Sequence, residues 1–266
     1  MIHDNLFDRY RDGESLLHRL SPNVKVVLTI LFILSNALLP DGHWLGFGIS
    51  WGIIFLLNGV ARLGFGYTFK RSFIALPFAL AAITAIFALP GKTLAEFDFL
   101  FWHLVATDTG LLRFFSIVIR SWLSVQVAIL LVTTTQFPDL IHALEHLRLP
   151  RLLITVIAFL YRYIFVLSDE VLRLLRARQS RSASLDGKRG GGTVLWRARV
   201  AGNMVGQLFL RSYERSDRIY NAMLARGYQG HLRTLNRHTM QTRDWLILLF
   251  SIALLLLLQI FTHFTG

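Results

Sequence analysis

The chain has 266 residues, 54% of them hydrophobic, and still carries a formal net charge of +12. That combination excludes an ordinary soluble domain and excludes a chain buried wholly in lipid, so charge and apolar surface must be segregated along it. The absence of cysteine rules out disulfides, thiolate metal sites and cysteine nucleophiles.

In chain order, residues 1–23 form a polar leader of mixed charge, with Asp8, Arg9, Arg11, Asp12, Glu14, His18 and Arg19. No apolar run followed by an Ala-x-Ala-like cleavage site occurs there, so the leader is expected to stay on the mature chain. Val24 to Leu39 is the first apolar run and Trp44 to Val60 the second, and the four-residue turn between them forces a helical hairpin. Arg62, Lys70 and Arg71 precede a third run, Ser72 to Leu89, which Pro90-Gly91 closes. Lys92 to Gly110 is amphiphilic, and its Phe97, Phe99, Phe101 and Trp102 suit a segment lying at a membrane interface. The fourth run, Leu111 to Thr135, contains Arg113 and Arg120. Arg113 can snorkel to the outer surface, whereas Arg120 is the better candidate for an intramembrane polar contact, because charge inside a span faces the protein interior. Trp245 to Phe264 is the clearest span, about 20 apolar residues being enough to cross the hydrocarbon core.

Leu152 to Leu167 is apolar enough for a further span but has Arg162 at its middle. If it crossed, the fifteen Lys and Arg between Asp169 and Asp244 would lie opposite Arg62, Lys70 and Arg71. The expectation is therefore an all-α polytopic membrane protein of about five spans. Residues 1–23 are the cytoplasmic leader, 24–135 hold spans one to four, 136–243 form a cytoplasmic helical domain, and 244–266 hold the fifth span. The N-terminus is inside and the C-terminus outside. From Gln136 to Arg243 there are 18 Lys and Arg against 7 Asp and Glu, so nearly all the net charge falls in that one domain.

Within the domain, Phe137 to Leu147 reads as a short helix, and two long helices follow. The first runs from Pro150 to about Arg181 and finishes in Ser180-Arg181-Ser182, before the Gly-rich linker DGKRGGG. The second includes Val205 to Ala225, with apolar residues at three- and four-residue spacings that suit a buried face, and stops where Gly227 follows Ala225-Arg226. A glycine just past a helix end supplies a left-handed cap and displays the arginine before it at the tip.

Other chemical signals fail on inspection. Lys188 with Gly190-Gly191-Gly192 does not make a phosphate loop, since Ser182 and Arg189 stand where a Gly and a Ser or Thr are required. His142 and His146 are four apart but lack the HExxH pattern and a third ligand, so no metal or other cofactor is expected. The interleaved Leu, Ile and Tyr of the basic domain argue against a nucleic-acid partner, and attraction to the anionic lipid bilayer accounts for part of its charge.

Two arginine-centred triplets on this topology, together with the leader, resemble the transmembrane T component of energy-coupling factor (ECF) transporters, of the cobalt-transport Q-subunit (CbiQ) type, over essentially the whole chain. Ala225-Arg226-Gly227 has the family's usual form, while Ser180-Arg181-Ser182 matches only at its central arginine. The leader is similar through Ser15, His18, Leu20, Pro22 and Lys25, with Ser21 and Asn23 in place of the usual Asp and Arg.

The resemblance implies a non-catalytic subunit of an ATP-driven importer in the plasma (inner) membrane. It implies two ATPase subunits as partners, docked through Ser180, Arg181, Ser182, Ala225, Arg226 and Gly227. It also implies a substrate-binding (S) subunit of CbiM type with an accessory small membrane subunit, for cobalt or nickel. The alternatives from other classes are an integral membrane lipid-modifying transferase, which should show clustered acids or histidines, and a channel or carrier, which should show several polar residues within its spans. For the leader, an interfacial lead-in with a snorkelling Lys25 stands against a contact with the cytoplasmic helices.

Overall fold

The computed structural model describes residues 10, 11, 13, 15–88, 92–99, 102–147, 149–181, 193–230 and 240–265. Ser182, the whole Gly-rich linker and several of the leader's charged residues lie outside them. The chain divides into two compact units, one made of Asp8–His146 with Asn236–Gly266, the other including Leu147–Leu235.

The first unit opens with α1 (Leu16–Arg19), capped by Ser15, and α2 (Pro22–Ala37), which starts on a proline, the residue best suited to the first helical turn. After the turn come α3 (Trp44–Ala61) and α4 (Phe65–Ser72). The third apolar run does not form one straight helix. A 3-10 turn at Phe73–Ala75 leads into α5 (Leu76–Ala82) and α6 (Thr84–Ala88), and the segments on either side of the break are bent by 48°. Pro77 explains it: without an N–H and with a ring that clashes one turn back, it cannot sit inside a continuous helix.

The segment expected to lie at the interface forms a hairpin of β1 (Thr93–Phe99) and β2 (Trp102–Thr107), antiparallel with Glu96 opposite Val105 and Phe99 opposite Trp102. Glu96 and Asp98 alternate with Phe97 and Phe99, the period-two pattern of a strand.

The long α7 (Asp108–Thr134) is the axis of this unit, packing against α2, α3 and α4. Leu123, Val127 and Leu130 of α7 meet Phe32 of α2, Phe47 and Ile54 of α3, and Leu258 of α11 (Thr242–Thr265) in one continuous core. The small Gly46 lets α3 approach α11 closely, since a Cβ there would come within 2.9 Å of Thr262. The short α8 (Phe137–His146) packs on α2, with Ala143 fully buried, and so belongs to this unit by contact.

The second unit contains α9 (Arg151–Arg181) and α10 (Val194–Ala225), of 31 and 32 residues. By length and composition α3, α7, α9 and α11 could each cross a membrane, and the bent pair spanning α4 to α6 makes a fifth. The molecule is thus a helical polytopic membrane protein with one small hairpin of strands. The apolar residues of α10 are not a buried face: no residue of this helix is buried within the chain, and Phe209, Tyr213 and Tyr220 are each more than half exposed.

Candidate functional site

α9 runs without interruption to Arg181, whose side chain is exposed, as is Ser180, whose Oγ donates to the carbonyl of Ala177 at 3.0 Å. α10 begins at an N-cap, Thr193, whose Oγ1 accepts from the Trp196 N–H, and ends with a complete Schellman cap. The Gly227 N–H reaches the carbonyl of Leu224 at 2.9 Å, and the Tyr228 N–H reaches that of Met223 at 3.0 Å. This closure requires Gly227 at φ +77°, where a side chain would be strained. Arg226 is the cap residue itself, exposed at the point where the chain turns away. Among the described residues, neither Arg181 nor Arg226 has an ion pair or side-chain hydrogen bond.

The two helices are joined by an ion pair that the sequence did not advertise. Arg211 of α10 donates to Glu170 of α9 at 2.6 Å. Glu170 lies about 16 Å along its helix from Arg181, and Arg211 about 22 Å from Arg226, at 1.5 Å per residue. The contact falls past the middle of both helices, so each arginine stands at the end of an arm of about a third to a half of its helix. Val205, Phe209, Tyr213, Tyr220 and Leu224 recur at four- and seven-residue steps, an exposed apolar stripe that leads to Arg226.

In the first unit, Arg120 ties the α2–α3 turn to α7. Its guanidinium donates to Asp41 Oδ1 at 2.8 Å and to the carbonyl of Leu39, while Arg113 approaches the same carboxylate at 3.9 Å. One turn on, Asn36 of α2 donates to the Arg120 carbonyl and to Ser124 Oγ. Asp41, the counter-ion of both arginines, is the member of this cluster that the apolar pattern left unassigned.

The leader residues also converge. The Ser15 hydroxyl and His18 Nδ1 are 2.6 Å apart, and His18 Nε2 lies 3.0 Å from the carbonyl of Arg11. The Arg11 N–H reaches the Thr133 carbonyl, and its guanidinium stacks 3.9 Å over the Tyr67 ring, which Arg71 approaches from 4.3 Å. Lys25 does not snorkel. It is buried, with Nζ donating to the carbonyls of Thr134 and His18. The leader's described contacts are therefore with α3, α4 and the end of α7. Elsewhere, His142 pairs with Glu145 at 3.8 Å, and no group of three metal-ligating side chains occurs among the described residues.

The comparisons with known proteins agree on one family. A family model described as cobalt transport protein (CbiQ) matches residues 13–240. An uncharacterized protein of Methanocaldococcus jannaschii is 29% identical over 98% of this chain and 88% of its own length. The energy-coupling factor transporter transmembrane protein EcfT of Lacticaseibacillus paracasei is 27% identical over 96% and 98%, and that of Ruminiclostridium cellulolyticum 28% over 86% of each. Membrane-spanning helices, paired arginine-ended helices and a match through most of the sequence converge: the chain belongs to the CbiQ family of energy-coupling factor transporter transmembrane components.

Proposed function

We propose that this chain is the coupling subunit of an ATP-driven cobalt or nickel importer, and that Arg181 and Arg226 each engage one of two ATPase subunits. The observation that carries the reading is the pair of long helices in a unit of their own, each ending in an exposed arginine. A guanidinium at such a tip can make a two-pronged, charge-assisted contact with a carboxylate on a partner. The apolar stripe along α10, uncovered within this chain, supplies surface for a second protein beside the charge.

Nucleotide-driven movement of the ATPases would turn the two helices about the Glu170–Arg211 contact and reorient a substrate-binding membrane subunit of CbiM type with its small accessory subunit. This chain performs no chemistry of its own in that scheme. In this scheme it crosses the plasma membrane five times, through the shorter apolar α2 together with α3, the bent α4–α6 segment, α7 and α11, with the N-terminus inside, the C-terminus outside, and α9 and α10 in the cytoplasm.

The decisive experiment is co-purification and transport by the Arg181→Glu/Arg226→Glu double variant. Removing one partner of a buried charge pair costs about 2 to 5 kcal/mol, so the variant should insert normally, lose ATPase association and lose metal uptake. Arg178→Glu, one turn back on α9, should be milder, and Lys at positions 181 and 226 should rescue only in part because it lacks the planar fork. Wild-type assembly and uptake by the double variant would overturn the proposal.

A further inference from the structure

Between α3, α4 and α7 lies a half-open cleft of about 270 Å³, lined by Trp51, Phe55 and Phe69 around a floor of Asn58, Thr68 and Gln126. The floor is a built one. Thr68 Oγ1 donates to Asn58 Oδ1 at 3.0 Å, and Asn58 Nδ2 donates to the carbonyl of Ile54, so this pair is held in place. Gln126 is only 5% exposed, yet its carboxamide has no hydrogen-bond partner among the described residues and opens on the cleft. The amide keeps accessible surface in the cleft, so it is free to donate to a polar group entering there. The walls are aromatic and apolar, and the side chains of Trp51, Phe55 and Phe69 are about half exposed at its edge.

Depth identifies the occupant. Gln126 lies eight residues from the end of α7, about 12 Å along the axis, in a helix of about 40 Å that exceeds a hydrocarbon core of about 30 Å. Asn58 is three residues from the end of α3. The polar floor therefore sits just inside one boundary of the hydrocarbon, at the level of lipid ester groups. Arg62, which caps α3 four residues past Asn58, lies on that side, and Lys70 follows the cleft residue Phe69 in α4. Both are exposed, and neither has an ion-pair partner among the described residues.

We propose that the cleft binds one anionic phospholipid. An ester carbonyl accepts from the Gln126 amide, an acyl chain lies along Trp51 and Phe55, and the phosphate meets Arg62 and Lys70. The bilayer around the open side supplies this ligand at high local concentration, and the polar floor is shaped for an ester rather than for a hydrocarbon chain alone.

The test is native mass spectrometry of the full chain extracted in mild detergent and re-equilibrated with phosphatidylglycerol or phosphatidylcholine. One phosphatidylglycerol per chain should be retained. Gln126→Leu should lower its occupancy about fivefold or more, as expected for one lost buried hydrogen bond. Arg62→Ala/Lys70→Ala should bind the two lipids equally. Gly66→Leu keeps the test open if Gln126→Leu folds poorly, since a Cβ at Gly66 meets nothing within 4 Å and the longer side chain would occlude the cleft. No retained phospholipid, or equal retention by wild type, Gln126→Leu and Gly66→Leu, would overturn the assignment. So would crosslinking of Phe69→Cys to a partner subunit in a complex that carries no such lipid, because the cleft would then be a protein interface.

Discussion

The ammonium of Lys25, at the start of α2, is held 2.9 Å from the carbonyl of Thr134, the last residue of α7 and 109 positions away in sequence. The last carbonyls of a helix have no intrahelical donor and carry the negative end of its dipole, so a buried cation there satisfies both needs at once. The same Nζ donates to the His18 carbonyl, which fixes the leader to the end of the central helix. Lys25→Met keeps the length and the apolar stem but removes both hydrogen bonds. A hydrogen bond involving a charged group contributes about 1.5 to 3 kcal/mol, so the denaturant midpoint in detergent should fall, with Lys25→Arg intermediate. An unchanged midpoint for Lys25→Met would mean that the cap contributes nothing to stability.

Gly227 holds a left-handed backbone on which the whole Schellman closure of α10 depends. A side chain there costs about 1 to 2 kcal/mol, confined to the last turn and away from any packed core. Gly227→Val should therefore insert and fold normally while fraying the helix end that displays Arg226, and uptake should drop severalfold. Asn tolerates this conformation better, and Gly227→Asn should keep most of the activity. Equal activity of the Val and Asn variants would show that tip geometry does not matter.

The Glu170–Arg211 pair is partly exposed, Arg211 more than half and Glu170 about one fifth. Such pairs contribute at most about 1 kcal/mol to stability, so its worth must be sought in geometry. Glu170→Arg alone should set two cations against each other and reduce the coupling of ATP hydrolysis to uptake, with little effect on thermal stability. Adding Arg211→Glu should restore coupling, and failure of this reciprocal exchange would remove the pair from the mechanism.

Long apolar runs announced α3, α7 and α11 because burial in lipid needs only length and composition. The arginine tips were legible for a related reason: Gly after Ala225-Arg226 is a local signal, and the backbone obeys it at φ +77°. What escaped depends on partners distant in sequence. Asp41 sits in a four-residue turn, and nothing near it in the chain says that Arg120 will reach it. Lys25 before an apolar run suits snorkelling, and only the arrival of Thr134 turns it inward. Gln126 and Asn58 are single polar residues within apolar helices, and sequence periodicity cannot say whether such a residue faces lipid, a neighbour or a cleft. The hairpin's pairing follows from the alternation of Glu96 and Asp98 with Phe97 and Phe99, a period that its amphiphilic, aromatic composition does not by itself specify.

The five-span topology competes with a six-span one, since α9 is itself long and apolar enough to cross. Two arguments favour the proposal that it stays in the cytoplasm. Crossing would place Arg162 near mid-membrane, at about 2.5 to 3.5 kcal/mol by insertion scales, and it would export the fifteen Lys and Arg between Asp169 and Asp244. The chain has no cysteine, so single cysteines report cleanly. Pro40→Cys, in the exposed α2–α3 turn, should react with an impermeant thiol reagent applied from outside. Gln229→Cys, exposed just beyond the α10 cap, should react only after the membrane is opened, and Phe264→Cys, near the end of α11, should react from outside. In the six-span arrangement the last two exchange sides. Outside labelling at 229 with protection at 264 would therefore place α9 across the bilayer, remove α10 from the cytoplasm and leave Arg226 unable to meet an ATPase.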